Sequence, residues 1–218
     1  MTVWESLDRP ACYPDCNCEF MLPDCFICQP YSFWSSFAYL LCAFLIYRKY
    51  RGTLPETKIW VFGLLIITMT SLFAHASFTV ISLALDLGSI STLMLLIHLP
   101  EQTLRSNFRF LGITLGGVIF TTILLLLLPQ NLWVGVVFAF FLFSAGILWR
   151  VHGPYHRDLE FWGIMTLYGI SFLLFHFDKH PAICFKSFPV FGHTLWHLGS
   201  ALTAYLFASW HLKKKAIS

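Results

Sequence analysis

Apolar residues in this chain fall into long uninterrupted runs. They show neither the two-residue alternation of a half-buried strand nor the one-sided period of a surface helix. Runs near Tyr31–Tyr47, Ile59–Ser77, Ser82–Leu99, Phe108–Leu128, Leu132–Trp149, Phe161–Phe177 and Phe191–His211 each approach the roughly 20 residues that a helix needs to cross a bilayer. The second and third follow one another with almost no polar break. Their 41 residues from Ile59 to Leu99 exceed one span, so a tight turn is expected near Phe78–Ile81. The pattern predicts an all-α polytopic membrane protein, a bundle of seven transmembrane helices. It divides into a cysteine-rich N-terminal segment over 1–30, a helical domain over 31–212 and a short basic tail over 213–218.

Composition agrees. Of 218 residues, 57% are hydrophobic and 11% charged, whereas a soluble domain carries about 25% charged residues. A net charge of +3 with scattered basic residues excludes a nucleic-acid footprint. The basic residues do set an orientation. If the N-terminus lies outside and the C-terminus in the cytoplasm, eleven of the 14 Lys and Arg fall on the cytoplasmic side, leaving Arg9, Lys179 and Lys186 outside. The first 30 residues are polar and lack the apolar core of a cleavable signal, so the first span is expected to act as the insertion signal. The same topology puts Cys12, Cys16, Cys18, Cys25, Cys28 and Cys184 on the outer face. An even number in an oxidising compartment predicts disulfides, in one of 15 pairings. The rival is a metal knuckle at Cys25 and Cys28, which form C-x-x-C.

Ionisable groups inside a membrane are costly and mark pairs or functional sites. Ser71 and His75 share a face of the second span at i and i+4, and His193 and His197 repeat that spacing on the last. Asp86 stands about one turn into the third. With the predicted topology all five fall at the same depth, near the outer face. Three neutral imidazoles can hold Zn²⁺ and leave a fourth position for water. Asp86 can take the proton from that water and Ser71 can donate to an oxyanion. The bland alternative is that each is a packed, hydrogen-bonded core residue. Two other H-x-x-x-H spacings compete. His152/His156 is interrupted by Gly153 and Pro154, while His176/His180, with Asp178 between, straddles the expected end of the sixth span. His98 and His211 fall at the cytoplasmic helix ends.

The set SLFAH (Ser71, His75), Asp86 and HTLWH (His193, His197) resembles the alkaline ceramidases, within the superfamily that also holds adiponectin/progestin-type receptors and lipid-remodelling hydrolases. The eleven-residue step from His75 to Asp86 and the N-out orientation are similar to the ceramidase branch, as is CNCEF followed by CQPYSFWSSFAYLL at the entry to the first span. The resemblance implies a seven-helix fold, zinc on His75, His193 and His197, Asp86 and Ser71 beside the metal, and hydrolysis of the amide of a ceramide-like N-acyl lipid. A phospholipase-type ester hydrolase and a non-catalytic lipid receptor are the alternatives within the same superfamily. It further implies that Asp15, Asn17 and Glu19 are the remnant of a Ca²⁺ site. Gln29 or Ser32 stands where a further Glu is expected, and the cysteine cluster replaces calcium as the means of rigidifying the segment.

Overall fold

The computed structural model describes residues 8–11, 19, 21–22, 25–52, 54–99, 101–152, 159–178 and 192–217. All regular structure among them is helical: α1 (Pro30–Ser35), α2 (Phe37–Tyr50), α3 (Thr57–Ser77), α4 (Val80–Leu96), the short α5 (Glu101–Arg105), α6 (Asn107–Leu126), a single 3₁₀ turn at Gln130–Leu132, α7 (Trp133–His152), α8 (Leu159–Phe177) and α9 (Gly192–Ile217). The chain is thus an all-α polytopic membrane protein. Five described segments are long and apolar enough to cross a bilayer: Pro30–Tyr50, Thr57–Ser77, Asn107–Leu126, Gln130–Ile147 and Leu159–Phe177. The other two expected spans fall short of that standard for different reasons. Val80–Leu96 is a shorter apolar helix, whereas α9 has the length but carries three histidines and Lys213–Lys215.

The long apolar stretch breaks where expected. Phe78 ends α3 in the left-handed region at φ 47°, a conformation that is uncommon outside glycine. Thr79 then opens α4 with a capping box: its side chain accepts from the Ser82 amide, and the Ser82 hydroxyl accepts from the Thr79 amide. The Arg9 guanidinium covers this turn, donating to the carbonyls of Ser77 and Phe78, and the Val80 amide donates to the Asp8 carbonyl at 2.9 Å. Asp8 and Arg9 are therefore strapped over the end of the bundle at which α3 stops and α4 starts.

Helix α3 packs between α2 and α4, α4 also touches α6 and α7, and α9 lies against α8 and α2. The main core joins α2, α3, α4, α8 and α9 through Ile46, Trp60, Leu64, Leu93, Phe161 and Trp210. Large apolar side chains such as Met69, Phe108, Phe120 and Phe143 point outward, the reverse of an aqueous fold and suited to lipid. At Gly192 an added Cβ would lie 2.5 Å from the Leu174 carbonyl oxygen. Only glycine lets the start of α9 approach the end of α8 this closely.

Among the described residues the expected disulfides are not found. Cys25, Cys28 and Cys42 are free thiols. Cys25 is exposed on a turn, while Cys28 is fully buried with its Sγ 3.7 Å from the Ser77 carbonyl. Neighbours in sequence thus face different surroundings, and this also separates the two thiols of the C-x-x-C pair. Cys12, Cys16, Cys18 and Cys184 lie outside the described residues.

Candidate metal centre

His75 occupies the last turn of α3, and His193 and His197 face it from the first two turns of α9. Their ring centroids are 4.8–4.9 Å apart, and one ligand atom from each comes within 4.8 Å of the others. His75 is 1% and His197 2% exposed. Their Nε2 atoms stand 3.2 Å apart. That is close to the ~3.3 Å edge of a tetrahedron with Zn–N bonds of about 2.0–2.1 Å.

The opposite nitrogens of these two rings are turned to acceptors. His197 Nδ1 lies 3.0 Å from the Ser32 carbonyl, 2.9 Å from Ser35 Oγ and 3.3 Å from Ser36 Oγ. Both hydroxyls give their own protons to that same carbonyl, at 2.9 and 2.8 Å. A carbonyl can only accept, so the contact with the Ser32 oxygen assigns the His197 proton to Nδ1. His75 Nδ1 donates to Gln29 Oε1 at 2.7 Å. Both Nε2 atoms then present lone pairs to one another in a buried space. Two lone pairs at this distance repel unless a cation lies between them, so the donor set fits a divalent metal held through Nε2.

Asp86, on the second turn of α4, is buried and takes a 3.4 Å contact from the Thr70 hydroxyl. It lines, with His75 and His193, a cavity of about 460 Å³ walled by Trp133, Phe138, Tyr168, Phe172, Phe175 and Trp196, with Gln130 and Asn131 also on its boundary. Ser71 is placed differently. Its buried hydroxyl meets Ser36 Oγ at 3.0 Å, so it lies behind His197, and it is absent from the described side chains lining the cavity.

Glu19 caps α1 instead of standing free for a cation. Its carboxylate accepts from the Tyr31 amide at 2.7 Å, from the Ser32 amide at 3.2 Å and from the Ser32 hydroxyl. Burial pushes the carboxyl above its usual range against the opposing effect of these bonds. Asp15 and Asn17 lie outside the described residues, so calcium has no support here. Asp178 accepts from the Gly192 amide at 2.9 Å and thus caps α9, while His176 is exposed and stands outside the triad. His180 and His156 fall outside the described residues.

Sequence reasoning places Gln29 and Ser32 only at a calcium position and misses both their contacts with His75 and His197 and the polar stripe of the first span. Ser32, Ser35, Ser36 and Tyr39 follow helical spacing, and that was the available signal. Tyr39 completes the stripe by hydrogen bonding Ser200 Oγ at 2.6 Å, which ties α2 to α9. Against known proteins, no family profile, curated protein or solved structure matches this chain. What the site is able to do is therefore read from its own atoms.

Proposed function

We propose that this protein is a zinc-dependent intramembrane hydrolase that cleaves the amide bond of a ceramide-like N-acyl lipid. The observation that carries the proposal is the opening of a buried three-histidine cluster onto an apolar, aromatic-walled cavity with one carboxylate, Asp86, in its wall. A cavity of that lining suits an acyl chain and leaves few polar groups to fix orientation. Zinc bound by His75, His193 and His197 would supply Lewis acidity and lower the pKa of attacking water. Asp86 accepts the proton as water oxygen adds to the scissile carbonyl carbon, and returns it to the nitrogen as the C–N bond breaks. Ser71, whose hydroxyl meets Ser36 Oγ beside His197 Nδ1, would support the surroundings of His197 and leave the oxyanion to the metal.

The seven-span arrangement, with the N-terminus outside and the C-terminus in the cytoplasm, belongs to the same proposal. It rests on the distribution of basic residues and on the apolar character of the segments. The test is a hydrolysis screen with purified, zinc-loaded protein in detergent. Ceramides and related N-acyl lipids should release fatty acid, with phospholipids as the ester comparison. Release from phospholipid alone would replace the amide by the ester, and no release from any lipid would remove the hydrolase.

A further inference from the structure

The segment leading into the first span does more than cover the site. Gln29 is fully buried and joins His75 twice: its amide donates to the His75 carbonyl at 3.0 Å, and its Oε1 accepts from His75 Nδ1 at 2.7 Å. The next amide back, that of Cys28, donates to the Ala76 carbonyl at 3.0 Å. These bonds satisfy carbonyls that α3 leaves open at its C-terminus. Three residues further on, Ser32, Ser35 and Ser36 surround His197 Nδ1 with three acceptors. Glu19 holds the amides of Tyr31 and Ser32 from outside.

We propose that Gln29 is the positioning residue of the metal centre, fixing His75 as its Nδ1–H tautomer so that Nε2 faces the metal, with α1 performing the same service for His197. This rests on the metal-site proposal above. A ligating histidine gains orientation and basicity from the acceptor at its other nitrogen, and losing such an acceptor weakens metal binding by about 10–100-fold. The two histidines differ in redundancy. His197 has three acceptors at Nδ1, while the described contacts give His75 one.

The amide of Gln29 has a further property. Its Nε2 has no partner among the described residues, so the side chain is buried for the sake of its oxygen. Replacing Gln29 by Met, of similar length and without polar atoms, strands the His75 proton but also removes this stranded donor. The two effects on stability are of like size and opposite sign.

The experiment measures zinc affinity of the full-length protein in detergent by competition with a chromophoric chelator, alongside the thermal midpoint of the metal-free form. Gln29→Met should weaken zinc about 10–100-fold with the metal-free midpoint within a few degrees of wild type. Gln29→Glu keeps an acceptor and should hold zinc as tightly as wild type or more so. Ser35→Ala leaves two acceptors on His197 and should change affinity by less than about 3-fold, within the range set by a redundant acceptor. Wild-type affinity in Gln29→Met overturns the role of Gln29 while leaving the metal site standing. Failure of wild type to bind zinc overturns the metal site itself and this role with it. Should Gln29→Met fail to fold, Gln29→Glu decides alone: retained affinity supports the proposal and a tenfold loss overturns it.

Discussion

Histidine is buried at both ends of this bundle, and the two ends use it differently. At one end His75, His193 and His197 bring their rings together from two helices. At the other, His211 is 2% exposed, and its Nδ1 accepts from the Trp60 indole N–H at 3.3 Å. His98 Nε2 donates to Ser144 Oγ at 2.7 Å, and that hydroxyl passes its proton to the Met94 carbonyl at 2.9 Å. Each end also has a concavity. The groove of about 640 Å³ near the second set is lined by Arg51 and Lys58 with Phe62 and Phe110, and by no described carboxylate or histidine. Burial of an imidazole alone therefore says little about function. The distinguishing feature is direction: in the first set, nitrogens of His75 and His197 turn towards each other after their partners have claimed the far side of each ring.

The sharpest way to break this contrast is to remove one imidazole at each end. His193→Ala or His197→Ala should cost most of an expected stoichiometry of about one zinc per chain, whereas His176→Ala and His211→Ala should leave it unchanged. Elemental analysis of the purified variants reads this directly. Equal zinc in the His197 and His211 variants would erase the distinction between the two ends.

A smaller effect separates holding a metal from using it. Asp86→Asn preserves shape at the cavity wall but removes the base. Zinc content should stay near wild type, while amide hydrolysis falls by about 10²–10⁴-fold, the usual worth of a general base. Turnover by the Asn variant equal to wild type would remove Asp86 from the chemistry.

Much of this was legible in the sequence, because helical periodicity is a local property. The i, i+4 pairs Ser71/His75 and His193/His197 sit on helices that the apolar runs already located, and the need to turn near Phe78 follows from length alone. The remaining features depend on partners that no spacing reveals. Gln29 reaches His75 across 46 residues, and the Ser32 carbonyl reaches His197 across 165. The serine stripe showed its period without showing its target. Cysteine parity failed for a related reason: pairing needs thiols that face each other, and Cys28 turns its sulfur to the end of α3. The family resemblance makes Glu19 part of a calcium remnant, yet the open amides at the start of α1 hold its carboxylate first.

The smallest predicted effect tests whether the second set of histidines is structural. Trp60 is fully buried on α3, with its ring edge-on to Phe207 at 5.6 Å and to His211 at 6.1 Å. Trp60→Phe keeps an aromatic ring at the site but removes the indole N–H, so Nδ1 of His211 loses its donor in a buried setting. A lost hydrogen bond between membrane helices is worth about 0.6 kcal/mol on average. Leaving the acceptor without its donor, together with the smaller ring, brings the expected total to about 1–3 kcal/mol. The thermal midpoint in detergent should fall by several degrees. Zinc content and hydrolysis should not change, because Trp60 stands four helical turns from His75 on the same helix and shares no partner with it. A loss of zinc in this variant would mean that the two ends are coupled through α3, and the contrast between a metal-holding end and a structural end would no longer stand.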